Sequence, residues 1–182
     1  MRFAFSDGFN SVNKIIYAAL LFSLSFSPAW GAPSDDLVKQ GEAALAAKDV
    51  GGALKAFDAA LDANPNNAKA AYNRGRINLV LHKNAQAVAD FTSAVLSDPK
   101  LGVAYSARGE AKIILKDEKG AFADFDAGVA ASPNKPEVYI LRATYLMRMG
   151  NAAAAKADLV SAKPFATGGM AKMLDAMIAR ME

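Results

Sequence analysis

Small and apolar residues recur at intervals of three and four along residues 34–167, which is the spacing of one face of an α-helix. Each block of this region contains two such patterns separated by a short polar turn. In the first block the turn is Lys48-Asp49-Val50-Gly51, and the two patterns comprise Leu37, Gly41, Ala44 and Leu45, then Ala53, Phe57, Ala60 and Leu61. The pattern therefore predicts pairs of amphipathic helices joined by tight turns.

Polar and helix-breaking residues mark where these helices begin and end. Asn64-Pro65-Asn66 ends the first block, because proline cannot continue a helix and restricts the residue before it. In the next two blocks, Asn84 and Asp117 are predicted to cap the helix that follows the turn. The fourth block opens at Pro136, a residue favoured in the first helical turn, and reverses at Gly150-Asn151.

A period of thirty-four residues relates the blocks to one another. The small and aromatic positions of the first block recur in the next two, as Gly41, Ala53, Phe57, Ala60 and Pro65, then Gly75, Ala87, Phe91, Ala94 and Pro99, then Gly109, Ala121, Phe125, Gly128 and Pro133. The fourth block departs to Ala143, Ala155, Leu159, Ala162 and Thr167. Small residues let two helices approach closely, and the aromatic ring fills the space beside them. A fixed period of this length is typical of stacked helical hairpins.

At these positions the sequence resembles the tetratricopeptide repeat family. The resemblance implies an all-α, right-handed superhelical solenoid of antiparallel helix hairpins. It covers four repeats, at 34–67, 68–101, 102–135 and 136–167, and a capping helix is expected at 169–182.

The segment after the last repeat also has helical spacing, with Met170, Met173, Leu174, Met177 and Ile178 on one face. The last hairpin of a solenoid otherwise exposes apolar surface, so we expect this helix to cover it. The alternative is that its methionines form an adaptable docking surface for a partner.

Residues 1–31 are predicted to be a cleaved signal peptide. Their apolar run at 15–26 is about a dozen residues long, whereas a membrane-spanning helix needs about twenty. Ala29 and Gly31 supply the small residues that a signal peptidase requires, which predicts cleavage between Gly31 and Ala32. We therefore expect an exported, periplasmic protein of a Gram-negative bacterium, with no membrane association after the leader is removed. Secretion, or anchoring by an uncleaved N-terminal segment, are the alternatives.

Composition and charge exclude several classes of function. The chain has 182 residues, 53% of them hydrophobic, and a net charge of only +3, which does not favour nucleic acid as a partner. It has no cysteine, so disulfides, thiol nucleophiles and zinc–thiolate sites are excluded. His82, the only histidine, lies in a polar turn without companion ligands. We therefore expect no catalytic residue, no metal and no cofactor, and the chain is not expected to be an enzyme.

Arginine and aspartate recur together in the last three repeats. Arg74, Arg108 and Arg142 precede Asp90, Asp124 and Asp158 by sixteen residues, and the first repeat has Gln40 and Ala56 in the two places instead. Joint presence and joint absence predict a structural ion pair within each hairpin, joining Arg74 to Asp90, Arg108 to Asp124 and Arg142 to Asp158. The alternative, a catalytic or ligand-binding role, does not account for the even repetition.

The resemblance also implies where a ligand would bind. In the tetratricopeptide repeat family, the first helix of each repeat lines a concave face, and its positions 5, 9 and 12 point into that face. Position 6 contacts the ligand backbone in some relatives, which adds Asn73. The peptide-binding residues implied here are Tyr72, Asn73, Arg76, Leu79, Ser106, Glu110, Ile113, Ile140, Thr144 and Met147. This mixture of apolar, aromatic and charged residues suits an extended peptide or a helix. The alternative is that the inner aliphatic residues, Leu45, Leu79, Ile113 and Met147, only pack neighbouring helices.

One ligand class of the family is not expected. The family's clamp for a C-terminal carboxylate needs basic and asparagine side chains at four positions, which are occupied here by Val38, Glu42, Val103 and Ala107.

The sequence thus predicts an exported protein–protein interaction module that binds a polypeptide segment in its concave groove, as an adaptor or scaffold in an envelope assembly. Its partner would be another protein or peptide, and the chain itself is expected to be a monomer. The alternative is an architectural, self-associating envelope protein that uses its convex face or its C-terminal helix.

Overall fold

The computed structural model describes residues 33–181. The predicted signal peptide, with its cleavage position between Gly31 and Ala32, lies outside the described residues.

Within residues 33–181 the secondary structure is entirely helical. The helices are α1 Ser34–Ala46, α2 Val50–Ala63, α3 Ala68–Val80, α4 Asn84–Ser97, α5 Gly102–Ile114, α6 Glu118–Ala131, α7 Pro136–Arg148, α8 Ala152–Ala162 and α9 Gly168–Ala179, with a 3₁₀ turn at Lys163–Phe165 before α9. The first eight form four hairpins, α1–α2, α3–α4, α5–α6 and α7–α8, and α9 packs on α8. None of the described helices is both long and apolar enough to cross a membrane.

Each hairpin turns at a residue with positive φ. These residues are Lys48, His82, Lys116 and Gly150, with φ of 61°, 59°, 65° and 75°. In the first turn, the N–H of Lys48 donates to the carbonyl of Leu45, and the N–H of the next residue donates to that of Ala44. This is the bonding pattern of a helix that ends in a left-handed residue. The same pattern at all four turns explains why the hairpins share one loop length.

The residue after each turn caps the second helix, with one exception. The carboxylates of Asp49 and Asp117 and the amide oxygen of Asn151 each accept from a backbone N–H three residues later. In the second hairpin this position is Lys83, which provides no side-chain cap. Asn84 was predicted to be the cap, and this is wrong because Asn84 is already the first helical residue. Its Oδ1 atom is buried without a hydrogen-bond partner in the described structure.

Buried phenylalanines in the second helices connect successive hairpins. Phe57 and Phe91 are 0% exposed and Phe125 is 1% exposed. Each ring packs on a glycine of its own hairpin, and an added Cβ at Gly75 would lie 2.7 Å from Cε1 of Phe91. Each also contacts the next hairpin, as where Phe125 stacks on Tyr145 with ring centroids 5.1 Å apart. The buried cluster around each phenylalanine therefore spans two neighbouring hairpins.

Helix α9 covers the end of the fourth hairpin. Leu174 is 0% exposed and packs in a cluster with Leu159 and Ala162 of α8. The preceding residue, Met173, is 44% exposed. One face of α9 is thus buried in the solenoid while the other meets solvent.

Candidate functional site

A pocket of about 480 Å³ lies between α3, α5 and α7, the first helices of three successive hairpins. Half of its lining was predicted from the sequence, namely Tyr72, Arg76, Leu79, Glu110 and Ile140. The other half was not, namely Val80, Val103, Ala107, Glu137 and Leu141. These ten residues are called the groove pocket below.

The unpredicted residues obey the same helical spacing as the predicted ones. Val103 and Ala107 lie seven and three residues before Glu110 on α5, so the three share one face. On α7, Glu137 lies three residues before Ile140 and four before Leu141, so Leu141 widens the same face. The family pattern gives three inward positions on each first helix, whereas a wide groove exposes a broader stripe of that helix. Extending the face by one turn would have identified these side chains.

Ser106 does not line the groove pocket, so its prediction as a peptide-binding residue is wrong. Its side chain is 0% exposed, and Oγ donates to the carbonyl of Gly102 at 3.4 Å. On the facing helix α6, an added Cβ at Gly128 would lie 2.7 Å from this Oγ atom. Because Gly128 has no side chain, α6 packs directly over Ser106 and excludes any ligand.

Asn73 and three further predicted residues also lie outside the groove pocket. Asn73 is 8% exposed, and its Nδ2 atom is 3.5 Å from Oε1 of Glu42, so it joins α3 to α1 instead of facing a ligand. Ile113 packs on the cluster around Phe125. Thr144 and Met147 are exposed, and their contact with a ligand stays a prediction.

The charged groups of the groove pocket are unevenly partnered. The guanidinium carbon of Arg76 lies 5.7 Å from the centroid of the Tyr72 ring, within range of a cation–π interaction. Burial raises the pKa of the Glu110 carboxyl above its usual 4.5, and the positive charge of Arg76 opposes this increase. Burial also raises the pKa of Tyr72. The third charged group, Glu137, is exposed.

The three arginine–aspartate pairs are present in the structure. Arg108 donates from Nε and Nη2 to the two oxygens of Asp124, at 2.9 and 2.7 Å. Arg142 holds Asp158 in the same two-pronged way, at 2.8 and 2.7 Å. In the remaining pair, joining Arg74 to Asp90, both donors meet one oxygen. Since these aspartates are buried, each arginine neutralises a carboxylate inside its hairpin.

The same arginines also bond to the preceding hairpin, which the sequence reasoning missed. Nη1 of Arg74 donates to Asp58 at 2.9 Å, and Nη1 of Arg142 donates to Asp126 at 2.8 Å. In the middle pair the acceptor is a threonine hydroxyl at 3.3 Å. The sequence contains a signal for these bonds, because Arg74 and Arg142 each have an aspartate sixteen residues before them. Each arginine thus fixes the position of one hairpin on the next.

No group of three potential metal ligands occurs within residues 33–181. His82 lies exposed in its turn.

A scan against protein-family models gave no match, and neither did a search of curated proteins. Solved structures do match. The TPR domain of Arabidopsis OM64 is 30% identical in sequence, with a TM-score of 0.57, and the alignment covers 64% of this chain and 95% of that domain. The repeat region belongs to the tetratricopeptide repeat family.

Two other tetratricopeptide repeat structures show how much of the fold is shared. TTC0263, a thermophilic TPR protein of Thermus thermophilus, is 20% identical with a TM-score of 0.68, over 81% of this chain and 80% of its own. The first TPR of Spaghetti (RPAP3), bound to the HSP90 peptide SRMEEVD, is 25% identical with a TM-score of 0.58, over 66% and 93%. The predicted all-α solenoid of helix hairpins is therefore confirmed.

Two positions of the family's carboxylate clamp are apolar in this chain. Val103 and Ala107, where the family's carboxylate clamp carries basic side chains, do line the groove pocket. Their apolar side chains give these two positions no charge with which to hold a terminal carboxylate.

Proposed function

We propose that this tetratricopeptide repeat protein is an exported interaction module that holds a segment of another polypeptide in the groove pocket and performs no chemistry. The observation that carries the proposal is the pocket itself, where Tyr72, Leu79 and Ile140 offer apolar surface beside a few charged groups. Binding sites for peptides and small ligands commonly combine these features. A related fold, the first TPR of Spaghetti (RPAP3), is bound to a peptide.

The groove would act as a preformed site. The arginines of these pairs also bond to the preceding hairpin, through Asp58, Thr92 and Asp126, so the helices that line the pocket are held before a partner arrives. A rigid site binds with a smaller loss of conformational entropy than one that must first become ordered. Such a module suits an adaptor or scaffold in a periplasmic assembly, which is where the predicted signal peptide would direct it.

Paired surface variants test the proposal. Arg76→Ala with Val80→Ser changes two exposed residues of the groove pocket, and Val80 is 75% exposed, so the fold should be kept. The matched control is Lys100→Ala with Leu96→Ser, because Leu96 is 76% exposed and neither residue lines the pocket. Proximity labelling in the native envelope would identify partners of the unchanged protein. We expect the groove variant to lose them and the control to keep them.

Equal labelling by the groove variant and the unchanged protein would contradict the proposal. Circular dichroism of both variants would show that neither has unfolded.

A further inference from the structure

Glu110 is a partly buried carboxylate that lacks a direct partner in the described structure. It lies on α5 in the lining of the groove pocket. No hydrogen bond or ion pair joins it to another group within residues 33–181. The nearest cation in electrostatic terms is Arg76, whose guanidinium lies over the Tyr72 ring.

Other buried carboxylates of this chain are treated differently. Asp90, Asp124 and Asp158 are each bonded to an arginine at short distance. Removing a carboxylate from water is costly unless a donor or cation replaces the lost hydration. Inside the hairpins the arginines provide this compensation. At Glu110, which lines the groove pocket, no donor or cation within residues 33–181 bonds to the carboxylate.

The rest of the lining favours a cation with apolar neighbours. Glu137 adds a second carboxylate, so the lining contains two acidic groups and one guanidinium, that of Arg76. Around them, Val80, Val103 and Leu141 supply aliphatic surface. A lysine or arginine side chain matches both features, because its stem is apolar and its end is charged. An acidic segment would meet a net negative pocket.

We propose that the polypeptide segment held in the groove pocket carries a lysine or arginine, flanked by apolar residues, whose cation forms an ion pair with Glu110. This inference rests on the proposed function and specifies the partner's chemistry. Arg76 remains on Tyr72 at the rim, and Glu137 contributes a longer-range attraction. The apolar neighbours of the basic residue pack on the aliphatic lining, which removes water from the ion pair and strengthens it.

Selection of peptides from a random display library is the first step of the test. The probe is a library of about twelve-residue peptides, which reach about 40 Å when extended. The target is the chain of 182 residues. We expect the enriched peptides to share a lysine or arginine between aliphatic or aromatic residues. Their binding should be lost on a variant that removes aliphatic lining and leaves the charges of the groove pocket unchanged, Val80→Ser with Val103→Ser.

A double-mutant cycle then locates the ion pair. The most enriched peptide is compared with a version in which its basic residue is glutamine, on the unchanged protein and on Glu110→Gln. Each single change should weaken binding about tenfold, and the double change should weaken it no further than either alone. The matched control is Glu118→Gln, an exposed carboxylate on α6 outside the pocket, which should bind as the unchanged protein does.

Two results would overturn the inference, and they differ in what else they affect. If the enriched peptides depend on the groove but lack a basic residue, or bind Glu110→Gln equally well, the ion pair is wrong and the proposed function stands. If no peptide depends on the groove pocket, both are wrong. Because glutamine has nearly the shape of glutamate, an unchanged circular dichroism spectrum is expected for Glu110→Gln.

Discussion

Lys83 stands where the other three hairpins have a capping side chain. Asp49, Asp117 and Asn151 each accept a hydrogen bond from the first turn of the helix that follows. An ammonium group cannot accept one, so α4 begins with a backbone N–H that no side chain satisfies. The stabilising contribution of an N-cap can therefore be measured at Lys83, with the other three hairpins as the reference.

Lys83→Asn should stabilise the protein by about 1 kcal/mol, the usual contribution of an N-cap. Asparagine is the natural choice because Asn151 caps α8 at the equivalent position. The midpoint of urea unfolding would measure the gain. Lys83→Ala removes the same charge without supplying an acceptor, and an equal gain from this control would mean that capping is not the cause.

A second prediction at this scale concerns the stability cost of Glu110. Burial raises the pKa of this carboxyl in the folded state, so the folded chain binds the proton more tightly than the unfolded chain. The resulting contribution to stability is present below the unfolded pKa and is lost as pH rises through the folded pKa. The charged groups near Glu110 are Arg76 on α3 and Glu137 on α7, together with the phenol of Tyr72.

Glu110→Gln is therefore expected to raise the free energy of unfolding at about pH 7 and to have little effect at about pH 4, where the glutamate is protonated. Urea unfolding at the two pH values measures this. The same stability difference at both would show that the charge of Glu110 is not what costs stability. A protein that keeps a destabilising charge in its groove is expected if the charge serves binding.

At the scale of helices, the three arginine–aspartate pairs differ in whether a further side chain bonds to the aspartate. Asp90 also accepts from Asn78 at 2.8 Å, and Asp124 also pairs with Lys112 at 2.9 Å. The equivalent residue in the fourth repeat is Leu146, which cannot bond to Asp158. Arg142 is therefore the one cation bonded to Asp158 among residues 33–181, and this carboxylate raises the pKa of the Arg142 guanidinium.

Arg142→Met should consequently destabilise the protein more than Arg108→Met. The first change leaves Asp158 buried and unpaired, at a cost of about 3 kcal/mol, whereas the second leaves Asp124 with Lys112 and should cost about half as much. Thermal or urea unfolding of both variants gives the comparison. Adding Asp158→Leu to Arg142→Met should recover part of the loss. Equal losses of stability in the two single variants would show that Lys112 does not compensate for the missing arginine.

For the molecule as a whole, a solenoid must cover the apolar surface of its last hairpin. Helix α9 does this with one face, because Leu174 is fully buried against α8 while Met173 is 44% exposed. Lys163 before the helix and Asp175 within it form an ion pair at 2.6 Å that helps to orient it. The C-terminal segment is thus part of the fold.

Adjacent residues of α9 allow a matched test of this capping role. Leu174→Ala should cost about 3 kcal/mol because it opens a cavity in the terminal cluster, whereas Met173→Ala should cost about 0.5 kcal/mol or less. Urea unfolding measures both. Sedimentation of the same variants addresses the self-association alternative. If Met173→Ala altered assembly without altering stability, the exposed face of α9 would be an interface.

Much of this protein was predictable from sequence because its local rules repeat. The helices, their turns and the pairing of Arg74 with Asp90 depend on the 3.6-residue period and on a constant loop length within one hairpin. Both quantities are local, so four copies of the pattern were enough to predict them. The misplaced cap at Asn84 was an error of one residue at a helix boundary, where sequence signals are weakest.

What only the tertiary structure decided is how one hairpin sits on the next. The bond from Arg74 to Asp58 and the shared lining of the groove pocket by Val103 and Tyr72 both depend on the offset between neighbouring hairpins. That offset results from the packing of many side-chain volumes at once, and no short spacing in the sequence encodes it. The sequence therefore determined the repeated unit of this protein, and the stacking of the units determined its groove.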